Sequence, residues 1–255
     1  MREDKGRTPT TITAWLFDLD GVVTDTASIH GRAWKRLFDG FLERRAGDGA
    51  YEPLKLPEDY LAHIDGKPRY EGVRDFLAAR GITLPWGDPD DAPGDDTVCA
   101  LGNTKNDWFN EVLAKEGVPV FDKCVALIDR LRARGLKTAC VSSSKNCRPV
   151  LATAGLADRF DTVVDGTDLE REGLRGKPEP DTYVRAAERL GATPGEAAVF
   201  EDALSGVEAG RRGGFGLVVG VDRGAGAAAL EAQGADRVVA DAGDLLDDPA
   251  VAGNG

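Results

Sequence analysis

Six short apolar runs, each breaking off at a carboxylate, a glycine or another polar residue, constrain this chain more than any other feature. They are ITAWLF (12–17), LKTACVSSS (136–144), DTVVDG (161–166), AAVFED (197–202), FGLVVGV (215–221) and DRVVAD (236–241). Runs this short, rich in β-branched and aromatic residues, read as buried strands feeding loops. Between them lie FDKCVALIDRLRARG, SKNCRPVLATAG, PDTYVRAAERLG and ALSGVEAGRRGG. There the apolar residues recur at spacings of three and four, with glycine near the end, as in amphipathic helices. Strand alternating with helix requires a parallel sheet covered on both faces, an α/β fold. A chain of 255 residues that is 42% hydrophobic has the material for such a core.

Residues from about 30 to 113 break the alternation. GRAWKRLFDGFLERR, GVRDFLAARG and NDWFNEVLAKEG read as helices separated by turn-rich connections. The expected organisation is therefore a core of residues 1–29 and 114–255, with a helical domain, 30–113, inserted after the first strand. Inside the insert, WGDPDDAPGDD (86–96) reads as a solvated acidic loop; a calcium site would need a regular ladder of ligands that it lacks. The residues after Asp248 read as a frayed tail.

Charge and cysteine usage narrow the function. With 32 basic against 44 acidic residues the net charge is −12, which repels nucleic acid and anionic membrane, and no basic patch offsets it. The four cysteines form no CxxC pair or metal-type cluster and read as reduced, packed thiols. The opening MREDKGRTPTT lacks an apolar signal segment, and no stretch approaches the roughly 18 apolar residues of a membrane span. The expectation is a cytoplasmic, soluble monomer acting on a small molecule.

In an open parallel sheet, ligands collect at the carboxyl ends of the strands. Asp18 and Asp20 follow the first strand, Ser142 to Asn146 the second, and Glu201 with Asp202 a later one, while Lys177 lies in GKPEP ahead of a helix. Carboxylates from two of these segments suit a hard cation such as Mg²⁺. A hydroxyl and an ammonium from the other two neutralise phosphoryl charge. That set is what phosphoryl transfer requires.

FDLDGVVTDT, VSSSKN, GKPEP and FEDALSG, in this order, resemble the four motifs of the haloacid dehalogenase superfamily. The resemblance implies a Rossmann-like core with a helical cap. It makes Asp18 the nucleophile, Asp20 the general acid and base, Ser142 and Lys177 the phosphate-binding pair, and Asp18, Asp20, Glu201 and Asp202 the Mg²⁺ set, Asp20 through its backbone carbonyl. Within the superfamily, DGVVTDTASIHGRAW resembles the start of the β-phosphoglucomutase group, with Thr26, His30 and Trp34 at the hinge and first cap helix. Gly66, Arg69, Lys105 and Asn106 match more weakly. This resemblance implies a cap that closes over a sugar phosphate, with His30 near Asp20 or the sugar hydroxyls. It implies interconversion of β-D-glucose 1-phosphate and glucose 6-phosphate through an aspartyl phosphate and a bisphosphate; a sugar-phosphate phosphatase is the alternative. A mutase needs a second anion clamp, for which Arg69 and the trio Ser144, Lys145 and Asn146 are candidates. The chain departs from the pattern at Ala203, where a hydroxyl residue is expected, and in extra cap material around 44–57 and 83–98.

Overall fold

Each of the six apolar runs forms a strand in the computed structural model, which describes residues 11–248. The strands are β1 (Ala14–Asp18), β2 (Lys137–Val141), β3 (Thr162–Val164), β4 (Ala197–Glu201), β5 (Leu217–Val221) and β6 (Arg237–Val239). The helices are α1 (Ala27–Ala46), α2 (Glu58–His63), α3 (Arg69–Ala79), α4 (Val98–Glu116), α5 (Asp122–Ala133), α6 (Cys147–Thr153), α7 (Gly166–Glu172), α8 (Asp181–Arg189), α9 (Leu204–Arg212) and α10 (Ala227–Gln233). Most of the polar opening segment, and the tail after Asp248, lie outside the described residues.

The strands form one parallel sheet in the order β3-β2-β1-β4-β5-β6. The chain winds outward from β1 to β3, then returns to the other side of β1 as β4, so the strand order reverses between β1 and β4. That is where an open sheet leaves a crevice for ligand. All five residues of β1 are buried, as expected of a central strand covered on both faces. Successive side chains point to opposite faces. Leu16 joins Val141, Val199, Val207 and Tyr183 in one buried cluster. Phe17 stacks on Phe200 of β4 with ring centroids 4.6 Å apart, and Trp15 stacks on the same ring at 5.9 Å.

The chain separates into two compact units, 1–23 with 121–255, and 24–120. The boundaries expected from sequence, 29/30 and 113/114, fall inside the second unit. The reason is local: α1 already begins at Ala27, ahead of the apolar spacing that marks it, and the expected boundary at 113/114 cuts through α4, which runs to Glu116. The second unit has its own core of Trp34, Phe38, Phe41, Val73, Phe76 and Leu101. Phe38 lies between Trp34, at 5.3 Å, and Phe76, at 4.0 Å. All four cysteines are buried and free of disulfides. No helix among the described residues is long and apolar enough to cross a membrane.

Candidate active site

Strand register builds the site before any loop does. Phe17 of β1 pairs with Phe200 of β4, so the next residues, Asp18 and Glu201, end adjacent parallel strands side by side. Neighbouring strands lie about 4.8 Å apart, and one carboxylate oxygen from each of Asp18, Glu201 and Asp202 falls within 4.8 Å of the others. Two glycines make room for this cluster. Gly21, at φ +89°, could not carry a side chain, because its Cβ would stand 1.8 Å from the Asp202 carboxylate. A Cβ on Gly206, in the first turns of α9, would stand 2.0 Å from Cδ of Glu201.

Lys177 is brought to the same point from the loop before α8. Its ammonium donates to Asp18 Oδ1, and to Glu201 Oε2 at 2.7 Å. The lysine side chain is 1% exposed and that of Asp18 8%. Burial opposes a charged lysine, but the Asp18 and Glu201 carboxylates outweigh it and hold the ammonium well above its ordinary range. Burial first, then the Glu201 charge, raise the Asp18 carboxyl well above the usual value, with Lys177 opposing. With Asp18 and Glu201 buried and Asp202 half-buried, one ammonium among three acids leaves excess negative charge that a hard divalent cation relieves, and the donors are all oxygen. The residues present therefore fit Mg²⁺. The carboxylate of Asp20, half-buried in the turn after β1, is outside that three-residue group.

Glu201 is held by more than Lys177. The buried hydroxyl of Tyr183, on α8, donates to Glu201 Oε2, and the amide of Ala203 donates to Oε1 at 3.2 Å. Tyr183 also carries the Lys177 ammonium over its ring, 5.1 Å from the centroid. Sequence reasoning missed Tyr183, taking it for a core position of an amphipathic helix. The available signal was its place one helical turn into the segment that follows Lys177. At Ala203 the backbone amide does the holding, so the absent hydroxyl is not needed for that contact.

The loop after β2 is ordered by its own serines. Ser142, 2% exposed, accepts from the Ser144 amide at 3.1 Å, and Ser144 Oγ accepts from the Asn146 amide at 3.1 Å. Accepting there leaves Ser142 its hydroxyl proton to donate. Gly166 lets the start of α7 approach this loop, since a Cβ on it would meet Lys145 N and Ser143 O at 2.7 Å. Lys145 pairs with Glu170 at 2.8 Å. Expected as part of an anion clamp, the trio Ser144, Lys145 and Asn146 is thus engaged in ordering the loop and in an ion pair.

The remaining expected residues lie in the second unit. Thr24 and Thr26 are buried with their hydroxyls 2.8 Å apart. Lys105, 3% exposed, bonds His30 Nδ1 and lies 5.0 Å from the Trp34 centroid and 4.6 Å from that of Phe109. His30 stacks on Phe109 at 4.0 Å. Burial, then the Lys105 and Arg69 charges, hold the His30 imidazole well below its ordinary value. Arg69 donates to Asn103 Oδ1 at 3.3 Å and to Asn106 Oδ1 at 2.8 Å.

Comparison with known proteins agrees with this geometry. The model of the haloacid dehalogenase-like hydrolases matches residues 12–214. The chain belongs to that family. A β-phosphoglucomutase of Mycobacterium bovis is 51% identical over 244 residues, 93% of each chain. A haloacid dehalogenase family hydrolase of Deinococcus radiodurans R1, solved with bound phosphate and sodium, is 30% identical, covers 93% of this chain and 94% of its own, and superposes with a TM-score of 0.64. A β-phosphoglucomutase structure from Clostridium difficile, 23% identical over 92% of this chain and 93% of its own, shares the fold with a TM-score of 0.71. This haloacid dehalogenase-like chain is a phosphoryl-transfer enzyme.

Proposed function

We propose that the enzyme is a β-phosphoglucomutase, interconverting β-D-glucose 1-phosphate and glucose 6-phosphate through an aspartyl phosphate on Asp18 and a bisphosphate intermediate. The observation that carries the chemistry is Lys177 buried between Asp18 and Glu201, beside Asp202. The mutase reading is supported by the 51% identity to the mycobacterial enzyme across 93% of both chains.

In this reading an Asp18 carboxylate oxygen attacks phosphorus, and the sugar oxygen leaves with a proton from Asp20. In the return step Asp20 takes the proton of the incoming hydroxyl as that oxygen accepts the phosphoryl group from Asp18. Lys177 and Ser142 offset the charge on the phosphoryl oxygens, which is most of what catalysis of this transfer requires. Asp18, Glu201, Asp202 and the Asp20 carbonyl would hold Mg²⁺. The ion supplies charge neutralisation and orientation at the phosphoryl group.

The second unit, in the same reading, is the substrate-specificity domain, with Thr26, His30, Trp34, Lys105 and Asn106 serving the sugar phosphate. Arg69 is the clamp for the second phosphate. Both of its described hydrogen bonds go to neutral amide oxygens, so no carboxylate fork competes with an anion for it.

The test supplies β-glucose 1-phosphate with a catalytic amount of β-glucose 1,6-bisphosphate and follows glucose 6-phosphate and free phosphate together. Glucose 6-phosphate appearing without matching phosphate release is expected. Stoichiometric phosphate with no glucose 6-phosphate would replace the mutase by the phosphatase that the hydrolase name of the family suggests.

A further inference from the structure

A side chain on α4 ties the extra acidic segment of the second unit to Arg69. Asn103, on α4, accepts at Oδ1 from Arg69 and also from the Tyr70 hydroxyl, at 2.9 Å. Its amide nitrogen donates to Pro89 O at 3.0 Å and Asp91 O at 2.9 Å, both in the segment 86–96. All the capacity of this amide is spent on joining the start of α3 to the acidic loop.

The surroundings hold both partners of Asn103 in place. Gly102 has no side chain where one would stand 2.7 Å from the Tyr70 ring and 3.2 Å from Arg69 Cδ, so α3 lies directly against α4. The loop is fastened on the other side as well. Asp95 takes a bidentate pair from Arg44 of α1, at 2.8 and 3.0 Å, and Asp91 accepts from the Thr97 hydroxyl at 2.7 Å and from the Asp88 amide at 3.0 Å. The segment is largely exposed, as expected of a solvated loop, yet it is bonded at both shoulders, with Asp91 and Asp95 supplying the carboxylates.

Helix energetics do not explain Arg69. It is the first residue of α3, where the helix dipole disfavours a cation. It is half-buried without a described ion pair, and burial lowers its affinity for the proton. A guanidinium held in that position by neutral groups is being aimed.

We infer that Asn103, braced by the acidic loop 86–96, is a positioning residue that aims Arg69, so that this added segment sets the affinity for the remote phosphate. The inference rests on the reading of Arg69 as the second anion clamp. It goes beyond that reading by giving the extra cap material a role in specificity.

The experiment is a double-mutant cycle on the full chain with Mg²⁺, reading KM and kcat for β-glucose 1,6-bisphosphate in wild type, Asn103→Ala, Arg69→Ala and the double variant. Asn103→Ala is expected to raise KM roughly three- to tenfold, the worth of about one hydrogen bond, with kcat changed less than KM. In the Arg69→Ala background it should add nothing to KM. Independent, multiplying effects would overturn the inference, because Asn103 would then act other than through Arg69. So would a KM raised by Arg69→Ala but untouched by Asn103→Ala, which leaves the clamp reading standing. A KM untouched by Arg69→Ala removes the clamp reading and this inference with it. If Asn103→Ala does not fold, Asn103→Asp takes its place. Its carboxylate pairs with Arg69 and competes with the phosphate, so KM should rise, and an unchanged KM in that folded variant overturns the proposal.

Discussion

Lys177 and Asp18 are each out of water and are joined by a salt bridge. Removing one partner of such a pair leaves the second uncompensated, which is why their substitution reads so clearly. We predict that Asp18→Asn lowers turnover roughly a thousandfold or more, since an amide oxygen is a poor nucleophile toward phosphorus. The variant should fold, and mass spectrometry should find no phosphoryl-enzyme. Near-normal activity in protein checked for deamidation would overturn the assignment. Tyr183 tests the support behind that pair. Tyr183→Phe keeps the packing but takes one of the bonds from Glu201 Oε2, a contact to a charged group worth about 1.5–3 kcal/mol. A lower denaturation midpoint and weaker Mg²⁺ activation should follow, whereas an unshifted midpoint would make the phenol a bystander. Asp18, Lys177, Glu201 and Asp202 were legible because each stands where an apolar run or a glycine-proline turn ends. Tyr183 was not, because a buried phenol on an amphipathic helix has the same sequence signal whether or not its hydroxyl has work to do. Gly206 was equally silent: only the Glu201 carboxylate lying over it shows why no side chain is there.

Among the elements, α7 shows what apolar periodicity cannot report. Its sequence, GTDLERE, contains one apolar residue, and polar contacts hold the helix. Asp165 caps it, and Asp168 closes the capping box and gathers three arginines: Arg148 of α6 at 3.1 Å, Arg171 of α7, and Arg189 of α8 at 2.8 Å. Burial pushes the Asp168 carboxyl up, but the bonds from Arg189, the Asp165 amide and Arg148 outweigh it and bring it down to about 2. A carboxylate depressed in the folded state gives stability that is fully present above its unfolded value, about 3.9. It is lost as pH falls through about 2. The expected outcome is a fall in the unfolding midpoint between about pH 4 and pH 2, to which Asp168 contributes about 1–2 kcal/mol. In Asp168→Asn that fall should be shallower. Parallel pH profiles for the two proteins would show that the network does not act this way. The start of α4 was misplaced for a related reason. Its first turns, from Val98, carry the Gly102 and Asn103 contacts to α3 and the acidic loop instead of an apolar stripe alone, so the spacing came into view only near Asn106.

Across the whole molecule, the strand order reverses where the acids converge, and that coincidence links fold to chemistry. The alternation of strands and helices made the parallel sheet legible, but register decides that Asp18 and Glu201 end level with each other, and no one-dimensional pattern carries register. The result is a chain of net charge −12 that concentrates three carboxylates within 4.8 Å of one another around one lysine. The unfolded chain disperses those charges, so the folded state alone has a preformed site for a hard cation. Mg²⁺ should therefore stabilise the fold by mass action, by about 2.7 kcal/mol when the ion is at a hundred times its dissociation constant. Calorimetry in chelator and across a Mg²⁺ titration measures this directly, without substrate. We expect the unfolding temperature to climb with Mg²⁺ and turnover to be lost in chelator and restored by the ion, with no requirement for zinc. Asp202→Ala removes one carboxylate without touching the Lys177 bonds to Asp18 and Glu201, so it should abolish most of the thermal shift while the protein still folds. An unfolding temperature indifferent to Mg²⁺, or full turnover after rigorous metal removal, would mean that Lys177 balances the cluster unaided and that phosphoryl charge is neutralised by side chains alone.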